Sequence, residues 1–472
     1  MSKSASYTFG LVGLGVMGRN FILNVADNGF SALGYDLDEE KARSLREEGG
    51  NPDKVDATSD LGTFVAGLSL PRKIMLLVPA GNIVDRVIED LLPLLDEGDI
   101  IVDGGNSFFR DTDRRETYLK EKGINFFGAG VSGGAEGARR GPSIMPGGNR
   151  EAYAHLKPIF EAASAKYKGE PCVAYLGPKS SGNYVKMVHN GIEYGLMQLT
   201  AEIYELLKTA GRLDNPAISD AFHRWDQDRL ESFLVSISAT ILKQKDDLGS
   251  GYLVDKILDK AKQKGTGKWT SQNSMDLGIP MPTIDMAVSM RQLSALKDHR
   301  ETLDERFGDL EVPEWTPEDL LPKAEAALYF AFIMTYAQGL HLLTEASEDY
   351  EYNLNMETIA KIWRAGCIIR AELLADIAQA YGANPELPNL VLAPELTDAI
   401  GSCLPAIREV VAYGAKYGIS IPCLSSALSY FDAFSSGRLP LNLVQAQRDY
   451  FGSHTYERTD QEGIFHTEWP KG

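Results

Sequence analysis

The 472-residue sequence predicts an α/β Rossmann domain with a doubly wound, mostly parallel sheet, followed by a large all-α domain and a C-terminal tail. Three observations carry that expectation. A short apolar strand pattern runs into Gly13-Leu14-Gly15-Val16-Met17-Gly18 and then a helical pattern, the order of a dinucleotide-binding unit. Several more apolar strand patterns follow, each turning glycine-rich or polar at its C-terminal end. The alternation stops after Gly177-Pro178-Lys179-Ser180-Ser181-Gly182, and the pattern is then helical to about Arg438. The expected units are 1–178, 179–438 and a tail over 439–472.

In order, the first strand is expected over Tyr7 to Val12 and the first helix through Asn28-Gly29. The glycines between them allow a tight turn and let a pyrophosphate approach free N–H groups at the helix N-terminus. A second strand, Ser31 to Tyr35, ends at Asp36, 23 residues after Gly13. An acidic residue at about that spacing holds the hydroxyls of an adenosine ribose. Strands are also expected over Lys73 to Val78, ending in Pro79-Ala80-Gly81, over Gly98 to Val102, ending in Asp103-Gly104-Gly105-Asn106-Ser107, and over Ile124 to Ala129. The C-terminal ends of such strands are where a doubly wound sheet collects its ligand. The glycine-dense segment Gly128 to Gly148, centred on Val131-Ser132-Gly133-Gly134, leaves a flexible loop and an anion-binding nest both open.

In the helical part, Lys186-Met187-Val188-His189-Asn190-Gly191-Ile192-Glu193-Tyr194-Gly195 has unusual chemistry. Read as a helix, it places Lys186, His189, Asn190 and Glu193 on one face. An ordinary amphipathic helix carries Leu or Val on its inward stripe. Here two proton-moving groups stand about two turns apart, suited to work as acid and base on a small polar substrate. Gly191 and Gly195 cost helix stability, so close packing or a ligand is expected beside them. Tyr194 and Tyr336 lie 142 residues apart in similar helices, and Trp225 and Trp363 lie 138 apart, each beside an arginine. That echo hints at a duplicated helical unit. Gln263-Lys264-Gly265-Thr266-Gly267-Lys268-Trp269 is a basic loop, and Arg291 lies on a later helix. The tail carries Leu439, Leu441, Leu443, Val444, Tyr450, Phe451, Ile464 and Trp469, too apolar to stay solvated, together with Arg448 and His454. A partner subunit is a natural place for it.

A net charge of −19 argues against nucleic acid and anionic membrane as partners, and requires a locally basic pocket for any anionic substrate. Cys172, Cys367, Cys403 and Cys423 form no C-x-x-C pair and are expected as reduced, buried thiols of a cytoplasmic protein. The start, Met1 to Tyr7, has no apolar core, so no signal peptide is expected. No uncharged apolar run is expected to approach 18 residues, and hence no membrane span is expected. The seven histidines form no convincing ligand cluster, so no metal is expected.

With these motifs in hand, the sequence resembles the decarboxylating 6-phosphogluconate dehydrogenases from about Phe9 to Trp469. The matching runs are Gly13 to Gly18, Ile100 to Ser107, Gly130 to Gly134, Lys186 to Gly195, Gln263 to Trp269, and Gln445-Ala446-Gln447-Arg448-Asp449-Tyr450-Phe451-Gly452-Ser453-His454-Thr455-Tyr456. The resemblance implies a homodimer whose tail threads into the other subunit. It implies conversion of 6-phosphogluconate to ribulose 5-phosphate and CO2 with a nicotinamide cofactor, in the oxidative pentose phosphate pathway. By position in the motifs, Lys186 is the base and Glu193 the acid. Asn106, Ser132, Gly133, Gly134, His189 and Asn190 hold the substrate carboxylate and hydroxyls. Tyr194, Lys264 and Arg291 hold its phosphate, joined by Arg448 and His454 of the other subunit. The cofactor set is Gly13 to Gly18 with Asp36, Leu37, Asp38, Val78, Pro79, Ala80 and Asn106. Most members use NADP and carry an Asn-Arg-Thr or Asn-Arg-Ser run where this chain has Asp36-Leu37-Asp38, so NAD is expected as the preferred cofactor, with Lys41 and Arg43 as counter-indications. A β-hydroxyacid dehydrogenase acting on a smaller acid, or a silent ligand-binding relative, are the alternatives. The first would not need Lys264, Arg291 and Arg448 together, and the second usually lacks the Lys/Glu pair.

Overall fold

The computed structural model describes residues 7–308 and 310–470. Met1–Ser6, Asp309, Lys471 and Gly472 lie outside that description; they include the start read for a leader and the last residues of the expected tail.

The first part is a seven-stranded sheet flanked by helices. Its elements are β1 (Phe9–Val12), α1 (Val16–Asp27), β2 (Ala32–Tyr35), α2 (Glu39–Gly49), β3 (Val55–Thr58), α3 (Leu61–Ala66), β4 (Lys73–Leu76) and α4 (Asn82–Leu91). They continue as β5 (Ile100–Asp103), α5 (Phe109–Lys120), β6 (Asn125–Ser132), α6 (Gly134–Arg140), β7 (Ser143–Gly148) and α7 (Arg150–Ala163), after which β8 (Lys166–Tyr167) and β9 (Glu170–Pro171) form a small separate hairpin. The strand order is β3-β2-β1-β4-β5-β6-β7, parallel except for β7. The order reverses between β1 and β4, which opens the crevice where such sheets bind ligands. The central strands are buried on both faces, as a parallel sheet covered by helices requires.

Two strands of the sheet escaped the sequence reading. β3 is four residues long, with Asp56 and Thr58 on its half-exposed side. β7 lies in the glycine-dense segment, which is mostly neither loop nor nest but an antiparallel pair, Phe127 opposite Gly148 through Ser132 opposite Ser143. Its glycines serve close approach. A Cβ on Gly128, Gly130 or Gly147 would land on the Asn183, Lys186 or Ser181 side chain of the next helix.

That helix, α8 (Ser181–Thr209), leads a body made of α9 (Asn215–Trp225), α10 (Phe233–Lys243), α11 (Thr266–Asp276), α12 (Pro282–Ala295) and α13 (Lys297–Phe307). The body continues with α14 (Pro317–Asp349), α15 (Met356–Trp363), α16 (Leu373–Ala383), α17 (Pro394–Tyr417) and α18 (Pro422–Phe434). α8 and α14 cross at its centre. A Cβ on Gly195 would sit 2.6 Å from Thr335, and one on Gly339 would sit 2.5 Å from Ile192. Leu199, Ile203, Leu206, Phe330 and Ile333 are fully buried there, each contributing about 1.5–3 kcal/mol on transfer from water. α14 corrects the premise that no apolar run is long enough to span a membrane. It is long and apolar enough to cross a bilayer, yet 94% of that stretch is buried inside the protein, so it is a core helix.

The sequence echo is visible in three dimensions. Trp225 ends α9 and Trp363 ends α15, each after one of the two long helices. Gly278 and Gly418 both take left-handed backbone, and both lead through a proline at N1 into α12 and α18. The halves cap each other's helices. Gln338 on α14 accepts from Thr283 N (3.0 Å) at the start of α12. Glu202 on α8 accepts from Cys423 N and Leu424 N (2.9 Å each) at the start of α18. The four cysteines are free and buried.

The chain ends in α19 (Leu441–Gly452) and a hairpin of β10 (Tyr456–Glu457) and β11 (Ile464–Phe465). Phe451 and Ile464 are 73% and 74% exposed, and Leu441, Leu443 and Tyr450 are more than half exposed.

Candidate active site

α8 carries the chemistry because its first half is wedged against the sheet hairpin. A Cβ on Gly182 would collide with the carbonyls of Gly128 and Met145, and one on Gly191 would come within 2.7 Å of Thr270. The two helix glycines therefore serve packing, Gly191 on α11 and Gly195 on α14. The contact turns the polar face of α8 towards the Ser132-Gly133 turn at the end of β6.

On that face Lys186, His189 and Asn190 are buried and Glu193 is half-buried. Lys186 Nζ lies 3.3 Å from His189 Nδ1, and His189 Nε2 lies 3.3 Å from Ser132 Oγ. Glu193 Oε2 is 3.9 Å from His189 Nδ1. Burial, with the Lys186 charge beside it, holds the His189 pKa well below its ordinary value, so the ring is neutral. Lys186 as donor to Nδ1 asks for the ring proton on Nε2, facing Ser132, while Asn190 Oδ1, 3.2 Å from Nδ1, asks for it on Nδ1. Burial lowers the Lys186 pKa, opposed by Glu193 and Cys367. Burial raises the Glu193 pKa, opposed by Lys186 and Arg291. Both groups are pushed towards their neutral forms, in which Lys186 is a base and Glu193 an acid. Trp363 stands edge-on to His189 at 5.5 Å between ring centres.

A second network braces the strand ends. Asp103 ends β5 and is fully buried, accepting from Ser107 Oγ (2.6 Å) and Gly105 N (3.0 Å). Arg115 on α5, equally buried, forks onto Asp85 (2.8 and 3.0 Å), donates to Gly81 O (3.0 Å) and reaches Asp103 at 3.4 Å. One guanidinium thus joins the Val78–Gly81 turn to the loop that exposes Asn106.

A cavity of about 380 Å³ opens at the sheet crevice, lined by Gly13, Gly15, Asp36, Leu37, Lys41, Val78, Pro79 and other residues. The residues fit a dinucleotide. Gly13 has φ +98°, and a Cβ on Gly18 would collide with the Gly13 carbonyl, so turn and helix pack tightly. A Cβ on Gly15 would meet nothing within 4 Å, which leaves the backbone open to a phosphate. Among the described residues no side chain caps the α1 N-terminus, so its N–H groups can take an anion. Asp36 accepts from Leu14 N (2.8 Å) and Asp38 N (3.0 Å), which holds its carboxylate at the rim. Lys41 leans on Asp36, its Nζ 3.4 Å from both oxygens, and Arg43 pairs with Glu40 and Glu47.

Residues 8–177 match the family described as the NAD binding domain of 6-phosphogluconate dehydrogenase, and residues 182–469 match the 6-phosphogluconate dehydrogenase C-terminal domain. The chain belongs to the 6-phosphogluconate dehydrogenase family. It is 50% identical to a decarboxylating 6-phosphogluconate dehydrogenase of Lactococcus lactis subsp. lactis, covering 98% of this chain and 99% of that one. It is 48% identical to one of Bacillus subtilis named as NADP(+)-dependent, over the same shares. The solved structure of the Plasmodium falciparum 6-phosphogluconate dehydrogenase superposes with a TM-score of 0.94 at 45% identity, covering 98% of this chain and all of that one.

Set on the 6-phosphogluconate dehydrogenase fold, the expected site residues fall into three groups. Ser132, Gly133, Lys186, His189, Asn190 and Glu193 are brought together. Arg291 lies over the Tyr194 ring at 4.7 Å and within the field of Glu193, so it borders the same pocket. Lys264 is exposed on the loop before α11, with no hydrogen bond or ion pair among the described residues. Arg448 bonds Gln445 and His454 packs on Phe451, both within the tail, and neither hydrogen-bonds to a site residue of its own chain. Sequence reasoning missed Gly130 beneath Lys186, Cys367 and Trp363 beside the polar face, and the Arg115 brace. Arg115 was invisible because Arg114-Arg115 on a helix reads as surface charge. Gly130 had a signal, its place in a matching motif, but no stated use. Among the described residues no cluster of His, Cys, Asp and Glu has the form of a metal site.

Proposed function

We propose that this chain oxidatively decarboxylates 6-phospho-D-gluconate to D-ribulose 5-phosphate and CO2 while a nicotinamide cofactor is reduced, with Lys186 and Glu193 moving the protons. The observation that carries the reading is the pair on one face of α8, Lys186 buried and Glu193 half-buried, each pushed towards the neutral form its role needs. The turn Gly13–Gly18 and the α1 N-terminus hold the pyrophosphate, Asp36 the adenosine ribose, and the Val78–Ala80 turn and Asn106 the nicotinamide half. The oxidised nicotinamide supplies a hydride acceptor. Lys186, as the free amine, takes the proton of the hydroxyl beta to the carboxylate. As an ammonium it then stands beside the new carbonyl oxygen and stabilises the charge that develops there as CO2 leaves. Glu193 gives its proton to the carbon that lost CO2. Ser132 and the Gly133–Gly134 backbone hold the carboxylate, and His189 and Asn190 the hydroxyls. Tyr194, Lys264 and Arg291 take the phosphate, giving a strongly acidic protein the basic pocket its substrate requires.

The working unit is a homodimer, with 1–178 binding cofactor, 179–438 binding substrate and joining subunits, and 439–472 completing the phosphate site of the partner with Arg448 and His454. The exposed apolar side of the arm supports this, since Leu441, Leu443, Tyr450 and Phe451 need a cover. The setting is the cytoplasm, where four buried thiols stay reduced.

NAD is the preferred cofactor. A 2′-phosphate brings about −1.5 to −2 charges to a rim where Asp36 and Asp38 replace the arginine that would neutralise it. The test is the absorbance of reduced nicotinamide with 6-phosphogluconate and NAD or NADP in turn. NAD is expected to win by at least ~10-fold in kcat/KM, about 1.4 kcal/mol. An enzyme that used NADP tenfold better would make Lys41 or Arg43 the phosphate reader, and no turnover of 6-phosphogluconate with either cofactor would overturn the functional reading.

A further inference from the structure

The C-terminal arm has almost no interior, yet one carboxylate within it is wholly hidden. Asp449 is fully buried, while Arg448 and Tyr450 on either side are exposed. Its Oδ1 accepts from Thr455 N (3.0 Å) and His466 Nδ1 (2.8 Å). Its Oδ2 accepts from Thr467 N (3.0 Å) and Trp469 Nε1 (2.9 Å). These donors lie 6, 17, 18 and 20 residues away in sequence, so one side chain gathers the turn after α19 and the segment past β11 onto the helix. The turn itself is unusual. Ser453 and Thr455 both take left-handed backbone, φ +50° and +60°, and His454 stands between them. A β-branched residue adopts that conformation only where its surroundings impose it. Here Asp449 binds the Thr455 N–H, and Gln445 Nε2 donates to the Thr455 carbonyl at 2.6 Å.

We infer that Asp449 is a positioning residue that fixes the turn bearing His454 relative to the helix bearing Arg448, so that the two reach the phosphate of the partner's substrate as one preset clamp. This rests on the proposed role of the arm in trans. The electrostatics support it. A free carboxylate next to a phosphate-binding arginine would pair with that arginine and repel the phosphate. Four donors saturate Asp449 instead, and among the described residues Arg448 bonds only the neutral Gln445. Although burial pushes the Asp449 carboxyl up, the bonds from His466, Thr467, Trp469 and Thr455 pull it further down, and it stays ionised at neutral pH.

The experiment compares Asp449→Asn with Arg448→Ala, as homodimers and in purified mixed dimers. In a homodimer, Asp449→Asn places an amide among N–H donors. It is expected to raise the KM for 6-phosphogluconate about tenfold, with kcat and the cofactor KM nearly unchanged. The mixed dimers separate clamp from scaffold. A chain carrying Lys186→Met and Asp449→Asn is paired with a wild-type chain, so the one active Lys186 is served by the altered arm and the raised KM is expected. With Lys186→Met on one chain and Asp449→Asn on the other, the active site receives an intact arm, and a wild-type KM is expected. If Arg448→Ala follows this pattern and Asp449→Asn leaves the KM unchanged, the inference is overturned and the arm reading stands. If Arg448→Ala acts on its own subunit or has no effect, the arm reading itself falls. Should Asp449→Asn fail to fold, Trp469→Phe removes one donor and keeps a ring; a smaller rise in KM supports the inference and an unchanged KM overturns it.

Discussion

Replacing Gly130 with alanine tests whether Lys186 is held in place by the sheet beneath it. A Cβ on Gly130 lands on Lys186 Cβ and 2.7 Å from its Cγ, with the Gly182 carbonyl at 3.3 Å. Carbon atoms pack at about 3.5–4.0 Å, so either the Lys186 stem or β6 must retreat by about 1 Å. Among the described residues, Lys186 Nζ is positioned only through that stem and through His189 at 3.3 Å. A displacement of ~1 Å at a reacting group costs on the order of 10²-fold in rate, or about 2.7 kcal/mol. Gly130→Ala is therefore expected to lower kcat about a hundredfold, read as reduced-nicotinamide absorbance at saturating cofactor and 6-phosphogluconate. Overpacking should also cost ~1–3 kcal/mol of stability, visible in the denaturation midpoint. Cofactor affinity should hold, because the Gly13–Gly18 turn lies on other strands. Gly401→Ala, where an added Cβ meets nothing within 4 Å, is the control. A folded Gly130→Ala enzyme within about threefold of wild-type kcat would refute the argument, since the Lys186 stem would then have room to adapt.

Three further outcomes are expected. Lys186→Met abolishes cofactor reduction, and Glu193→Gln lowers turnover by ~10²–10⁴-fold. Because the Glu193 charge raises the Lys186 pKa, its removal moves the acidic limb of the residual kcat/KM profile to lower pH, and a limb that stays put or moves up would uncouple the pair. Glu202 is pushed by burial from its ordinary 4.5 to about 7, so the folded chain binds the extra proton between those values. Stability should fall as pH rises through that window and level off above it, by at most about 3 kcal/mol, while Glu202→Gln, read by urea midpoints, flattens the slope. Asp36→Asn with Leu37→Arg and Asp38→Thr should shift preference towards NADP by ~10-fold or more, and an unchanged ratio of kcat/KM values would place the discrimination elsewhere.

The sheet was legible wherever an apolar run ended at a turn residue, because burial on both faces leaves little doubt about β1, β2, β4 and β5. β7 was not, since Gly147 marks where α8 presses on the strand and Gly148 where β6 does, and a glycine chosen for contact looks the same in sequence as one chosen for flexibility. α14 misled in the other direction. A helix buried among helices and a helix buried in lipid satisfy the same composition rule, and only the neighbours tell them apart. The polar face of α8 could be read from spacing alone, because helical periodicity is rigid. Arg115 and Asp449 could not, since their roles depend on partners brought together by folding, such as Gly81 and Asp85 for the first and Thr467 and Trp469 for the second. The echo between helical halves was faint in two tyrosines and two tryptophans but strong in backbone shape around Gly278 and Gly418.

The crossed capping of those halves has a consequence during synthesis. Glu202 waits for Cys423, 221 residues further along the chain, and at ~5–20 residues per second that is roughly 10–45 s. Thr283 waits only 55 residues for Gln338. For most of that time the sheet domain and the first long helix are already outside the ribosome, with a carboxylate still in water and the face for α18 uncovered. The helical body is thus finished from its far end, and a ribosome that stops early releases a chain whose earliest helices have nothing to close them.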